Sequence, residues 1–176
     1  MKMKKTIVWL DDFLNSSDLV SVDATLLKKK FPQHRILFAT TCAEFLEIVL
    51  DHIRLRRNIR PFSNKASLID LIIIDIMLID SPSLHLPLIG SDNRVIFRSD
   101  GRIKGFNTFQ VEGEGLTSGL IIINSLTGLD PDLTSIPQII YSQRARSGFE
   151  DNLRMLPIAP HVCSKGAIYG HQNSAE

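Results

Sequence analysis

Apolar residues along this chain follow two rhythms, and their alternation predicts a layered α/β fold. Short, β-branched runs mark strands at Thr6 to Leu10, Arg35 to Ala39, Leu68 to Ile74, Pro137 to Tyr141 and His161 to Ser164. Continuous runs of this kind suit strands covered on both faces, as in a parallel sheet. Between them the spacing turns helical. Leu19, Val22, Leu26 and Leu27 mark a helix over about 17–30, with Lys28 to Lys30 in its last turn, where cations complement the helix dipole. Thr41-Cys-Ala-Glu44 is a capping box that opens a second helix, carrying Phe45, Leu46, Ile48, Val49 and Ile53 and ending before Pro61. Helical spacing returns over 117–126 with Gly128 expected at C′, and a short helix is expected over 149–156. Asp130-Pro-Asp132 reads as a turn.

The rhythm fails over 79–114, a stretch too long for an ordinary loop. Pro82, Pro87 and Gly90 punctuate its first half. Arg94 to Arg98 and Ile103 to Val111, joined through Ser99-Asp-Gly-Arg102, predict a β-hairpin. The segment is read as an insertion within a single domain spanning 1–176.

Composition narrows the class. With 176 residues, 44% hydrophobic and 22% charged, the chain is an ordinary globular one, long enough to bury a core. Its net charge of +1 gives no electrostatic case for direct nucleic-acid or membrane binding. The basic run Arg54, Arg56, Arg57 and Arg60 reads as the solvated end of a helix. Cys42 and Cys163 make no disulfide framework and read as buried thiols in a reducing compartment. Met1-Lys-Met-Lys-Lys5 lacks the apolar stretch a signal peptide needs, so a cytoplasmic protein is expected.

Chemistry gathers where the strands end. Asp11 and Asp12 close the first run, Asp75 the third, Ser142 the fourth, and Lys165 follows the fifth. In parallel sheets, ligands bind outside the carboxyl ends of the strands, where the strand order reverses. Three acids delivered there are costly to keep charged and unpaired, and a hard divalent cation is the natural remedy, with magnesium expected. Each residue alone has a plainer reading. An Asp pair after a strand is commonly a helix cap, a lone Ser a turn residue, a lone Lys a solvated charge. Asp75 resists such a reading, because an acid closing a branched apolar run is costly unless paired. The histidines show no ligand spacing, Trp9 reads as core, and neither a nucleophile elbow nor a phosphate loop occurs.

Taken in order, Ile7-Val-Trp-Leu-Asp-Asp12, Asp70-Leu-Ile-Ile-Ile-Asp-Ile-Met-Leu78, Pro137-Gln-Ile-Ile-Tyr-Ser142 and Val162-Cys-Ser-Lys165 resemble the receiver domain of two-component response regulators. The resemblance implies a flavodoxin-like three-layer sandwich with a five-stranded parallel sheet of order 2-1-3-4-5, here with a hairpin inserted after strand three. It implies that Asp75 accepts a phosphoryl group from phosphohistidine on a histidine kinase or phosphotransfer protein. Mg2+ would be held by Asp11, Asp12, Asp75 and the backbone carbonyl of Met77. Lys165 and Ser142 would contact the phosphoryl oxygens.

Several positions depart from the family pattern. The insertion stands where a short Pro- and Gly-containing loop is usual, and the hairpin is placed to cover the site, restrict access or bind a partner. Gln143 replaces a small residue, Val162 the switch aromatic, and Gly166 a proline. The polar stretch after Lys165 makes a poor helix, so the last family helix is expected to be stunted or missing. Apolar surface would then be left for a partner or a second copy, as in a homodimer. The expected role is a stand-alone, atypical receiver that signals to an output protein by contact and is no enzyme beyond its own phosphorylation and dephosphorylation. The alternatives are a degenerate receiver-like interaction module that is never phosphorylated, and a small magnesium-dependent phosphohydrolase. The second lacks the Asp-x-Asp such hydrolases use, since position 77 is Met.

Overall fold

The computed structural model describes residues 4–12, 18–78, 83–111, 118–142 and 161–164. In chain order these form β1 (Thr6–Leu10), α1 (Asp18–Lys30), β2 (Arg35–Ala39), α2 (Cys42–Arg56), β3 (Leu71–Ile74), β4 (Ser83–Pro87), β5 (Phe106–Gln110), α3 (Ser118–Ile122), α4 (Pro131–Thr134), β6 (Gln138–Ser142) and β7 (His161–Ser164). Five strands make one parallel sheet in the order β2-β1-β3-β6-β7, and β4 pairs antiparallel with β5 in a separate ribbon.

The pleat sorts the core into two faces. On one, Val8, Leu10, Ile72, Ile74 and Ile140 meet Phe45, Val49 and Ile53 of α2, and Ile122 of α3. On the other, Ile7, Trp9, Ile73 and Tyr141 meet Ala24 of α1. Helices therefore cover both sides of the sheet. That is why the strands read as unbroken apolar runs. α2 opens as its sequence predicts: Thr41 Oγ1 accepts from Glu44 N–H at 3.2 Å, and Glu44 Oε2 reaches back to Thr40 N–H at 2.7 Å. None of the described helices is long and apolar enough to cross a membrane.

Several expectations need correction. β3 begins at Leu71, not Leu68, because pairing with β1 starts at Ile7↔Leu71. Ile69 N–H is taken away from the sheet by His52 Nδ1 at 2.9 Å, while Asp70 N–H makes the first bond to β1, donating to Thr6 O at 2.8 Å. The helix over 117–126 is α-helical only to Ile122 and then loosens into a π turn, Ile123–Thr127. Gly128 follows with φ −85°, so it is no left-handed cap. It is small because a Cβ there would lie 2.5 Å from Ile123 O. The Asp130-Pro-Asp132 turn is the N-cap and first turn of α4, where Asp130 accepts from Asp132 N–H. Cys42 is half-buried and Cys163 exposed, so neither is the buried thiol its type suggests. The short helix over 149–156 and everything after Ser164, Lys165 included, lie outside the described residues.

The insertion takes an unexpected path. The predicted turn forms, with Phe97 bridged to Ile103 and Gly101 at φ +79°. The main ladder, however, joins β4 to β5, and a second small turn brings Ile89 to Val95. The hairpin is thus a stem with a forked tip. β4 was hidden because Pro82 and Pro87 bracket it and read as loop. Leu84, Leu86 and Val95 enter the main core. The tip is fastened to the C-terminal end of α2, where Arg54 Nε donates to Gly101 O at 3.0 Å and Arg57 Nη1 to Val95 O at 2.7 Å. α2 starts at the carboxyl rim of the sheet, so these anchors lie about 18 Å along its axis from that rim. The tip does not cap the acidic site. The same contacts correct the reading of the basic run: Arg54 is buried and Arg57 largely so, and both hold the fold together instead of facing water.

Candidate functional site

Asp11 and Asp75 each continue a strand by one ladder step. Asp11 N–H donates to Ala39 O at 3.1 Å and Asp75 N–H to Leu10 O at 2.9 Å. Their backbones are thereby fixed at the mouths of adjacent strands, which lie about 4.8 Å apart. Asp12 follows directly after Asp11 and is half-buried. One carboxylate oxygen from each of Asp11, Asp12 and Asp75 lies within 4.8 Å of the other two. Asp11 and Asp75 are almost wholly buried and Asp12 partly so.

The position in the sheet matters as much as the distances. From β1 the chain passes outward to β2 and then crosses to β3 on the other side. β1 and β3 therefore flank the point where strand order reverses, the usual location of a ligand crevice in open parallel sheets. Three ionised carboxylates at this spacing repel one another by about 3 kcal/mol per pair at an effective dielectric near 20. A divalent cation offsets that repulsion. Ligands on opposite sides of a magnesium ion are about 4.2 Å apart, and around calcium about 5 Å. The donor set, all hard oxygens within such a span, fits one small hard cation.

The remaining expected residues divide. Ser142 ends β6, buried, at the same rim: Ile74 pairs with Ile140, which places Ser142 beyond the end of β3 on the side away from β1. Met77 lies in the loop two residues after Asp75. β7 runs parallel to β6 with Ser142 opposite Ser164, so the residue expected next, Lys165, follows directly from a strand of this sheet but is not itself described.

Sequence reasoning missed two residues, one of them beside the site. Gly119 donates its N–H to Ile76 O at 2.9 Å, and a Cβ on it would fall 2.0 Å from the carbonyl oxygen of Asp75. Only a glycine lets α3 press against the backbone that carries Asp75. The second is Asp23 of α1, buried on the opposite face, where Tyr141 Oη donates to its Oδ2. Burial raises the carboxyl of Asp23 above its ordinary value. No local pattern announces that pair, which joins residues 118 positions apart.

Compared with family models, with curated proteins and with solved structures, the chain finds no match.

Proposed function

We propose that this chain is a receiver of the two-component type, in which Asp75 accepts a phosphoryl group from a phosphohistidine donor. The observation that carries the reading is the convergence of Asp11, Asp12 and Asp75 on one buried spot at the reversal of strand order. Counted without β4 and β5, the strands run 2-1-3-4-5, which supports the flavodoxin-like arrangement the resemblance implies.

In the transfer, a carboxylate oxygen of Asp75 attacks phosphorus in line with the donor's P–N bond. A P–O bond forms, the P–N bond breaks, and its electron pair stays on the imidazole nitrogen, which takes up a proton. Asp11, Asp12 and Asp75, with the Met77 carbonyl, would hold Mg2+, which when bound neutralises charge on the transferring group. Asp75 needs alignment more than activation, and the ladder bond from its N–H together with the packing of Gly119 supplies that. Ser142 would donate a hydrogen bond to the phosphoryl group, and Lys165 would neutralise it. Because the hairpin tip is fastened far from the rim, the hairpin acts as part of the body and leaves the tip exposed for contact.

Incubation with acetyl phosphate in the presence of magnesium tests the reading. One phosphoryl adduct by intact mass, lost in Asp75→Asn, is the expected result. No adduct with any donor would favour a receiver-like interaction module, and multiple turnover on small phosphate esters would favour a hydrolase.

A further inference from the structure

A groove opens along α2 from Glu47 to Arg54, between the helix, the loop that follows it and the hairpin tip. It encloses about 570 Å3, and its walls include Leu50, Asp51, Arg54, Phe62, Arg102 and Ile103. Asp51 is buried and its carboxylate is spoken for within the wall. Oδ1 accepts from Phe62 N–H and from Arg54 Nη1, and Oδ2 from Ser63 N–H. The Arg54 guanidinium lies 3.9 Å from the centre of the Phe62 ring. Phe62 itself is 61% exposed. An aromatic ring pinned by its own amide and stacked on a buried arginine has lost its freedom before any partner arrives, which lowers the entropic cost of binding. Rigid aromatic and arginine side chains beside an apolar wall are what binding hot spots are made of.

Charge selects the occupant. Arg98 and Arg102 face each other across the tip turn, where Arg98 N–H donates to Arg102 O, and both are exposed. Lys65 lines an adjoining cavity of about 190 Å3. Against these three cations stand two exposed acids, Glu47 on the wall and Asp100 in the turn. Asp100 already accepts from Arg102 N–H through Oδ1, and its side-chain contact with Arg102 is a long 4.0 Å. Such an exposed pair yields readily to a better partner.

We propose that this groove docks an acidic protein segment, with an apolar side chain packed on Phe62, Leu50 and Ile103 and carboxylates facing Arg98 and Arg102. Nucleic acid suits it less well, since a single exposed ring makes no stacking platform and Glu47 faces the path of a phosphate backbone. The proposal stands apart from the chemistry at Asp75.

Titration of a short peptide alternating glutamate with leucine into the isotope-labelled chain is the test. The amide resonances of Phe62, Arg102 and Ile103 are expected to shift. Phe62→Ala and Arg102→Glu are each expected to weaken binding about tenfold, and added salt to weaken it further. Both residues are exposed, and an unchanged melting curve certifies that each variant folds. The proposal is overturned if those amides stay unmoved at about millimolar peptide. It is equally overturned if a lysine–leucine peptide binds as tightly, or if a single-stranded oligonucleotide takes the groove in preference.

Discussion

At the carboxyl end of the sheet Asp11, Asp12 and Asp75 crowd one another, whereas near the amino end Asp51, Asp130 and Asp132 each meet an arginine. Arg57 lies 2.7 Å from Asp130 and 2.6 Å from Asp132, and Asp130 also accepts from Val95 N–H at 2.8 Å. Arg54 pairs with Asp51 at 3.0 Å. The paired end ties α2, α4 and the insertion into one body. The carboxyl end instead gathers three acids onto one spot, and local arrangements that depart from simple pairing concentrate at sites with another task. The same residue type thus serves structure at one end and chemistry at the other, and its neighbours decide which.

The largest expected effect breaks the paired end. Arg57→Met leaves Asp130, which has no exposed surface, without its counter-charge, and removes the donor to Val95 O. A loss of about 3–5 kcal/mol in urea unfolding is expected, the usual cost of orphaning one member of a buried pair. A loss below about 1 kcal/mol would mean that the clamp is ornamental and that the insertion is held by its apolar residues alone.

A smaller effect probes the crowded end. In Gly119→Ala the new methyl group must displace the Asp75 carbonyl, costing about 1–3 kcal/mol by overpacking. Because the strain falls on the backbone of Asp75, the yield of phosphoryl adduct is expected to drop more steeply than the melting temperature. If stability falls while adduct yield per folded molecule is unchanged, Gly119 serves packing alone.

The smallest effect is read through pH. His52 is buried with both ring nitrogens engaged: Nδ1 accepts from Ile69 N–H and Nε2 donates to Asp132 O at 3.0 Å. Burial holds its pKa below the ordinary 6.5, and the hydrogen bond to Asp132 only partly counters this. The unfolded chain therefore takes up a proton that the folded chain refuses. Stability falls as pH drops below about 6.5, and the loss continues down to the lowered folded pKa. An imidazolium has no acceptor for Ile69 N–H, so the loss is about 1 kcal/mol, the size of one hydrogen bond. Urea midpoints at pH 7.5 and 5.5 (both about these values) are expected to differ in the native chain and to differ less in His52→Gln. An equal pH response in both would remove His52 from the account.

Much of the fold was legible in advance because its signals are local. The five core strands, the capped start of α2 and the acids at the mouths of β1 and β3 follow from runs of branched residues and the polar residues that end them. The convergence of Asp11, Asp12 and Asp75 was legible, since strand ends in a parallel sheet share one rim. Gly119 was not, because a glycine near a helix start gives no hint of the backbone it touches. β4 was not, because its prolines mimic a loop. The arginines of α2 were misread because a run of cations at a helix end is ordinarily solvated, and the hairpin that buries them arrives from elsewhere in the chain.

The sequence alone determined the α/β class, the parallel strands and the placing of three acids at strand termini, because periodicity and chain direction fix those within a few residues. Tertiary structure alone decided which charges are buried and which partners they find. Arg57 and Asp130 are 73 positions apart, and Arg54 and Gly101 are 47. No local pattern encodes such a meeting; it depends on how the hairpin and α2 pack against the same core.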